Sequence, residues 1–199
     1  MKNQRRNAAI LAIGSELLTG RTVDTNSAYL GAELEKLGFT VTLSVNCDDD
    51  LDEISEQISL LLKKNEVLIT CGGLGPTFDD ITRDAAAHAL ARELSRNEKA
   101  WACTRRYFER TGSTATQANE RQAYVPSGAV VLDNEVGSAA GFHVENQRRH
   151  LFCLPGIPFE MKRMYEAFVQ PRLAELSDAQ NHLRRLDVFG TSEAYISKL

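Results

Sequence analysis

Glycines crowd one short turn of this 199-residue chain, and a pair of aspartates follows close behind them. An apolar, β-branched run at residues 67–70 precedes the turn, and an alanine-rich run of helical composition, residues 81–94, follows the aspartates. Because glycine has no Cβ, the backbone of such a turn can approach a phosphate closely, and free N–H groups at a helix start hold the anion. The pattern predicts a strand–turn–helix unit that binds a phosphate or diphosphate. The predicted binding residues are Gly72, Gly73, Leu74, Gly75, Pro76 and Thr77.

The aspartates Asp79 and Asp80 do not suit a plain phosphate cradle. Beside a dianionic ligand they would repel it, at a cost of roughly 1 kcal/mol or more at close range in water. A divalent cation such as Mg²⁺ that bridges them to the phosphate oxygens removes this conflict. An activated water between the carboxylates is the other possibility. The residues therefore predict a metal-assisted phosphate or pyrophosphate site.

A simpler interpretation of the same stretch is a tight turn in which Asp79 or Asp80 only caps the following helix. The stretch is not a Walker A loop, because no Lys-Ser/Thr pair follows the last glycine. It does not match the G-x-G-x-x-G pattern of dinucleotide-binding folds either.

Polar residues also follow the first predicted strand, residues 8–13. Glu16, Asp24 and Asn26 come after its carboxyl end, where open α/β sheets bind their ligands. We expect Glu16 and Asn26 to contact the nucleotide and Asp24 to be a candidate metal ligand. The alternative is that Asp24 and Asn26 only turn the chain and cap a helix. That helix is predicted to start near Asn26 or Ser27 and to end at Gly38.

Three consecutive aspartates, residues 48–50, end a second predicted strand at residues 39–45. Such a run is usually a solvated loop, and Asp50 can cap a helix over residues 51–64. The run nevertheless lies at the predicted ligand edge of the sheet, so one of its carboxylates is expected to join the metal site. It does not match an EF-hand, since the required glycine and closing glutamate are missing.

The second half of the chain predicts two more segments near a ligand. The small residues of 134–141 indicate a close approach of the backbone to another group. Gly156, between Pro155 and Pro158, lies at a second strand-to-helix junction and is a further candidate ligand contact. Between these segments, residues 142–145 and 149–154 predict a hairpin whose histidines, His143 and His150, are expected to pack rather than to bind metal.

Other predicted elements are a helix capped by Asn97, a short polar helix or turn at residues 116–121 and a strand at residues 129–132. Arg105, Arg106 and Arg110 lie on one side of the first of these, where a solvated face is favoured over an anion or partner site.

Composition is typical of one globular domain, with 43% hydrophobic and 25% charged residues. The net charge of −4 argues against non-specific nucleic-acid binding, which requires clustered positive charge. The four cysteines are far apart and form no metal-binding pair, so a reducing, cytoplasmic setting is expected. No apolar run is long enough to span a membrane, and no membrane partner is predicted.

Three motifs occur here in the order and spacing of a known family. They are residues 14–27, residues 72–82 and residues 154–158. In these motifs the chain closely resembles the N-terminal domain of the CinA (competence/damage-inducible) family, which belongs to the MoaB/Mog molybdopterin-binding superfamily. The resemblance covers roughly residues 7–176. Residues 189–193 resemble the family's passage into a further domain.

The resemblance implies a three-layer α/β/α sandwich with a mostly parallel sheet. It also implies cleavage of a nucleotide diphosphate such as ADP-ribose or FAD to AMP and a phosphorylated product, dependent on Mg²⁺, Mn²⁺ or Co²⁺ and on no organic cofactor. The alternatives are a molybdopterin- or nucleotide-binding module without turnover, and a molybdopterin adenylyltransferase. Leu74, Pro76 and Thr77 fit the CinA pattern better than the molybdopterin branch.

The resemblance also implies a catalytic set, taken from the positions that match the functional pattern of the molybdopterin branch. It comprises Asp80 and an aspartate of the 48–50 run, taken as Asp49. Asp79, Asp80, Asp49 and Asp24 are the candidate metal ligands, and one carboxylate is expected to act as base. The superfamily also suggests a homo-oligomer, a dimer or a trimer. We expect the domain to occupy residues 1–176 and residues 177–199 to form a strand and the start of a helix that leads to another domain.

Overall fold

A six-stranded sheet forms the centre of the computed structural model, which describes residues 6–177, 188–190 and 195. The strands along the described chain are β1 (Asn7–Ile13), β2 (Thr40–Cys47), β3 (Val67–Cys71), β4 (Leu94–Arg96), β5 (Tyr124–Pro126), β6 (Val130–Leu132), β7 (Gly141–Asn146) and β8 (Arg149–Leu154). The helices are α1 (Ser15–Leu18), α2 (Thr25–Lys36), α3 (Leu51–Lys64), α4 (Thr82–Ala89), α5 (Glu98–Thr111), α6 (Pro158–Met164) and α7 (Gln170–Leu176). A 3₁₀ segment spans Gln117–Ala123, and a π-helical turn, Tyr165–Val169, joins α6 to α7.

The strands of the central sheet follow the order β2-β1-β3-β8-β7-β6. The first four are parallel, whereas β7 and β6 run antiparallel to their neighbours. In register, Ala12 of β1 lies beside Cys71 of β3, and Cys71 lies beside Leu154 of β8. The three segments that follow these strands therefore leave the sheet side by side at one edge.

Helices cover both faces of the sheet, because side chains alternate along each buried strand. Ala9, Leu11 and Ile13 of β1 pack in a core with α3, α4 and α5, whereas Ala8 and Ile10 pack with α2, α6 and α7. The predicted three-layer α/β/α sandwich with a mostly parallel sheet is confirmed. In the described part of the chain, no helix combines the length and the apolar character needed to cross a bilayer.

Local signals located most helix ends correctly. Asp50 caps α3 by accepting a hydrogen bond from the Glu53 amide at 2.9 Å, and Asn97 caps α5. The predicted 142–154 hairpin and the polar turn after residue 116 are also present. Helix α2 begins at Thr25, and Asp24 caps it by accepting from the Ser27 amide at 2.9 Å, as the alternative interpretation of Asp24 predicted.

Two further expectations need correction, and one strand pairing was not predicted. Residues 15–18, expected to be loop, form the single helical turn α1. Helix α4 ends at Ala89 rather than near residue 94, because Ala91 adopts a left-handed backbone (φ 50°) and the chain then enters β4. Strands β4 and β5 form a separate antiparallel ribbon that short-range patterns did not indicate. The strand and helix predicted after residue 177 lie almost entirely outside the described residues.

The arginines of α5 bind a neighbouring loop. Arg106 pairs with Asp133 at 2.6 Å, and Arg110 donates to the Val136 carbonyl at 2.7 Å. These contacts hold the loop between β6 and β7 against α5.

Two histidines are buried together in the hairpin of β7 and β8. The His143 ring stacks on Phe152 with centroids 4.3 Å apart, and its Nε2 lies 3.1 Å from His150 Nδ1. Burial lowers the pKa of His143 to about 4, with smaller contributions in the same direction from His150 and Arg172. Burial also lowers the pKa of His150. Both rings therefore stay neutral in the folded protein at pH values where the unfolded chain binds protons.

We predict that acid destabilises this fold through the histidine pair. As pH falls from about 6.5 towards 4, these histidines bind protons in the unfolded chain but not in the folded chain. The free energy of unfolding therefore decreases. His143→Phe should reduce this slope by up to about 1.4 kcal/mol per pH unit, the value for one proton. Urea unfolding between pH 4 and 8 measures it. Exposed His88, replaced by Gln, is the control, and an unchanged slope in His143→Phe would contradict the prediction.

Candidate functional site

A cleft of about 580 Å³ opens where β1, β3 and β8 end. Its walls come from the residues after β1, the glycine turn after β3, the segment after β8, Asp49, and Ser138 and Ala139 of the loop before β7. The predicted contacts that line the cleft are Glu16, Asp49, Gly72, Gly73, Leu74, Gly75, Pro76, Asp79, Asp80 and Gly156. The sheet register therefore brings ten predicted residues to one place.

Asp80 folds back onto the glycine turn. Its Oδ1 accepts a hydrogen bond from the Gly75 amide at 2.7 Å, and its Oδ2 accepts from the amide and hydroxyl of Thr77 at 2.8 and 2.6 Å. A side chain at position 75 would overlap the Asp80 carboxylate, which explains the glycine there. Since a carboxylate offers about four acceptor positions, this one has used most of them to shape the turn.

Thr82 and Arg83 hold the carbonyl side of the same turn. Thr82 Oγ1 donates to the Gly72 carbonyl at 2.8 Å. The Arg83 guanidinium donates to the carbonyls of Leu74 and Gly75. Arg83 is only 2% exposed, and burial lowers its pKa to about 10 while the charges of Asp80 and Asp84 oppose that shift. A charged side chain thus lies beneath the turn, a role that the sequence analysis missed.

The hydrogen bonds of the turn determine which amides remain for a ligand. The Gly72 amide donates to the Leu154 carbonyl at 3.0 Å, and the amides of Gly75 and Thr77 donate to Asp80. Those three of the predicted phosphate-binding amides are therefore occupied. Gly73 and Leu74 line the cleft, and within the described chain their amides have no hydrogen-bond acceptor. Gly73 adopts φ 65° and Gly72 φ 108°, conformations that favour glycine.

Carboxylates collect on another part of the cleft wall. Asp49 Oδ2 accepts a hydrogen bond from the Ser15 amide at 3.1 Å, while Glu16 and Asp79 line the cleft nearby. Burial raises the pKa of Asp49, the Ser15 hydrogen bond lowers it, and the charges of Glu16, Asp48 and Asp79 raise it further. The carboxylates at this wall therefore repel one another electrostatically.

The carboxylates of Glu16, Asp49 and Asp79 are the type of ligand that a hard divalent cation prefers, but they do not form a complete coordination site by themselves. Carboxylate oxygens suit Mg²⁺ and Mn²⁺, and Mg²⁺ commonly uses one or two protein carboxylates together with substrate phosphate oxygens. Among the described residues, no group of three His, Cys, Asp or Glu side chains is arranged to hold a metal ion. The four predicted metal ligands do not converge, because Asp24 lies outside the cleft and Asp80 shapes the turn.

Asp24 and Asn26 line a separate side pocket of about 90 Å³ that shares Glu16 and Gly156 with the main cleft. Asp24 caps α2, as the simpler interpretation of that residue holds. Asn26 Nδ2 donates to the Gly156 carbonyl at 2.7 Å, so this side chain joins the segment after β1 to the segment after β8. Thr77 is not part of the cleft lining, but its amide and hydroxyl donate to Asp80, which is.

One cleft carboxylate was not predicted from the sequence. Glu160, in the first turn of α6, accepts a hydrogen bond from Asn134 Nδ2 at 2.7 Å. Burial raises the pKa of Glu160, and the bond from Asn134 lowers it. The small-residue loop did signal a close approach, and its Gly137 leaves room for the Glu160 carboxylate. The predicted ligand contact at Gly156 indicated this strand-to-helix junction, but the sequence did not single out Glu160 within it.

Comparison with known proteins supports a family relationship. Residues 9–175 match the family model described as "Probable molybdopterin binding domain". A "Putative competence-damage inducible protein" of Caldicellulosiruptor saccharolyticus is 37% identical over 191 residues, which are 96% of this chain and 46% of that protein. The chain thus spans about half the length of the curated relatives it matches.

Solved structures similar to this chain include a CinA protein and a molybdopterin biosynthesis enzyme. The protein CinA of Thermoplasma acidophilum, described as of unknown function, is 32% identical with a TM-score of 0.78, over 84% of this chain and 98% of that one. The molybdopterin biosynthesis enzyme MoaB of Thermus thermophilus is 19% identical with a TM-score of 0.58, over 86% of this chain and 96% of that one. At that identity the second likeness shows the fold alone.

We predict that Arg83 stabilises the glycine turn. Arg83→Met should lower the free energy of unfolding by about 3 kcal/mol, because it leaves the Leu74 and Gly75 carbonyls without their buried donor. Arg121 is the matched control, since it donates to the Thr77 carbonyl of the same turn at 2.8 Å but is 40% exposed. Arg121→Met should cost less than about 1 kcal/mol. Urea unfolding compares them, and equal losses would refute the assignment.

Proposed function

This chain belongs to the family described as "Probable molybdopterin binding domain" and to its CinA branch, and from that premise and the cleft we propose that it is a metal-dependent nucleotide pyrophosphatase. The substrate is a nucleotide diphosphate such as ADP-ribose or FAD, and the products are AMP and a phosphorylated remainder. One observation supports this best. Gly73 and Leu74, whose amides have no acceptor within the described chain, line the same cleft as the carboxylate residues Glu16, Asp49 and Asp79.

A diphosphate needs hydrogen-bond donors for its oxygens and positive charge to offset its own negative charge, and the amides of the cleft, together with a cation held by its carboxylates, can meet these two needs. The amides of Gly73 and Leu74 supply donors without a side chain to obstruct a phosphate. The carboxylates of Glu16, Asp49 and Asp79 repel each other and would repel the phosphate. Glu16, Asp49 and Asp79 would hold a divalent ion such as Mg²⁺, Mn²⁺ or Co²⁺, which would supply positive charge to the developing negative charge and lower the pKa of a water.

The protein's own contribution to the reaction is positioning and proton transfer. The turn holds the diphosphate through Gly73 and Leu74, and Asp80 keeps the turn in shape rather than touching the reacting atoms. Asp49, whose pKa is raised by burial and by neighbouring charges, is suited to accept a proton from the attacking water. The water oxygen bonds to one phosphorus, the P–O bond of the anhydride breaks, and two phosphomonoesters result.

The family description favours a second candidate, a binding module that holds a pterin or nucleotide without turnover. A cleft of about 580 Å³ accommodates either ligand. A binding module predicts affinity without product. Adenylyl transfer to molybdopterin predicts ATP consumption only when the pterin is present.

We predict that turnover depends on Asp49 and on a divalent ion. With ADP-ribose or FAD and Mg²⁺, Mn²⁺ or Co²⁺, AMP should form, and chelator should stop it. Asp49→Asn should lower kcat by roughly a hundredfold or more, since it removes the base and a metal ligand. Asp52→Asn is the control. Asp52 is exposed, lies three residues after Asp49 and is outside the cleft lining, so its loss should leave kcat within about threefold.

Chromatographic measurement of AMP decides between the candidates. Equal activity in the two variants would remove Asp49 from the mechanism. Nucleotide or pterin binding with no AMP under any metal condition would refute the pyrophosphatase and favour the binding module.

A further inference from the structure

Glu160 is a half-buried carboxylate in the cleft that the reaction above does not use. No ion pair to it occurs in the described part of the chain, and only one of its oxygens, Oε2, is hydrogen-bonded there. Burial of an unpaired carboxylate is costly, so a carboxylate retained in this state is suited to a ligand that donates to it.

Asn134 fixes the direction in which Glu160 presents its free oxygen. Asn134 is 1% exposed, and its amide is fully used. Nδ2 donates to Glu160 at 2.7 Å and to the Ala139 carbonyl at 3.0 Å, while Oδ1 accepts from the amides of Val136 and Gly137 at 3.2 and 2.8 Å. With all four positions taken, the Asn134 amide cannot be reversed without loss.

The loop before β7 is built to leave space for this pair. A Cβ at position 137 would overlap the Glu160 carboxylate and lie 2.6 Å from Asn134 Nδ2, so glycine is required there. Arg106 and Arg110 of α5 hold the loop from its other side through Asp133 and Val136. Hydrogen bonds from α5 to the loop and from Asn134 to Glu160 therefore hold the Glu160 carboxylate in place.

Glu160 lies apart from the acidic wall at which we place the phosphates. Asp49 follows β2 and Glu160 follows β8, and strands β1 and β3 lie between those two strands in the sheet. Its neighbours along the cleft include apolar surface from Ala139, Ile157 and Pro158. An apolar wall with a single oriented acceptor suits a flat heterocycle that carries an N–H donor.

We propose that Glu160 is a specificity-determining residue whose free Oε1 accepts a hydrogen bond from the exocyclic amino group of the ligand's ring. The proposal rests on the proposed function in taking the ligand to be an adenine nucleotide, with its diphosphate on the glycine turn and its base against Glu160. A pterin carries an exocyclic amino group too, so the same contact chemistry serves both ligands.

The test compares two probes that differ in that amino group. AMP and purine riboside 5′-monophosphate, which lacks it, are titrated calorimetrically into the full 199-residue chain. AMP should bind roughly tenfold to a hundredfold more tightly, because the analogue leaves the Glu160 oxygen unpaired. This comparison requires no variant. Equal affinities would overturn the proposal.

Glu160→Gln sharpens the test. Asn134 donates to the glutamine carbonyl oxygen, so the glutamine NH₂ must occupy the position of Oε1 and meets an amino group as donor against donor. AMP affinity should fall to that of the analogue, whose own affinity stays within about threefold. Glu166→Gln, an exposed position six residues along, is the matched control and should retain the preference. A preference that survives in Glu160→Gln, or an equal loss for both probes, would show a role other than amino recognition.

Turnover and recognition are separable outcomes. Glu160-dependent binding of AMP without formation of AMP from ADP-ribose would refute the pyrophosphatase and leave the Glu160 proposal standing. If AMP does not bind, 2-amino-4-oxopteridine is the next probe. Its Glu160-dependent binding would support amino recognition and contradict a nucleotide ligand, whereas binding of neither probe would overturn the proposal.

Discussion

The buried guanidinium of Arg83 is the contact on which the site depends. It donates to the carbonyls of Leu74 and Gly75, while Asp80 accepts from the amides of Gly75 and Thr77. An irregular turn at the end of a buried strand would otherwise leave several backbone groups without partners, at a cost comparable to a lost hydrogen bond for each. The residues just after the turn satisfy these groups, and among the amides of residues 72–77 those of Gly73 and Leu74 have no acceptor in the described chain and remain for a ligand.

The parallel sheet explains why one cleft combines groups from distant parts of the chain. Strands β1, β3 and β8 are adjacent and end at one edge, although β8 lies some eighty residues after β3 in sequence. Asn26 reinforces this convergence by donating to the Gly156 carbonyl at 2.7 Å. The cleft consequently has two chemically different walls. One carries opposing carboxylates around Asp49, and the other carries apolar surface and the single oriented carboxylate of Glu160.

Family membership and function are separate questions for this chain. The match over residues 9–175 and the 32% identity to the Thermoplasma acidophilum protein show the family. The molybdopterin biosynthesis structures, at under 25% identity, share the scaffold, and different sites can be built on one scaffold. Diphosphate cleavage therefore rests on the cleft together with the family, and amino recognition rests on the hydrogen bonds around Glu160.

The sequence by itself determined the features that depend on near neighbours. The strand, glycine turn and helix around residue 72, the caps Asp50 and Asn97, and the 142–154 hairpin follow from backbone preferences and contacts a few residues apart. Tertiary structure decided how each polar side chain is used. Asn26 donates to the Gly156 carbonyl across 130 residues, and Glu160 accepts from Asn134 across 26 residues. A residue's type specifies how many hydrogen bonds it can make, but only the packing of distant elements determines which partners fill them and which atoms remain for a ligand.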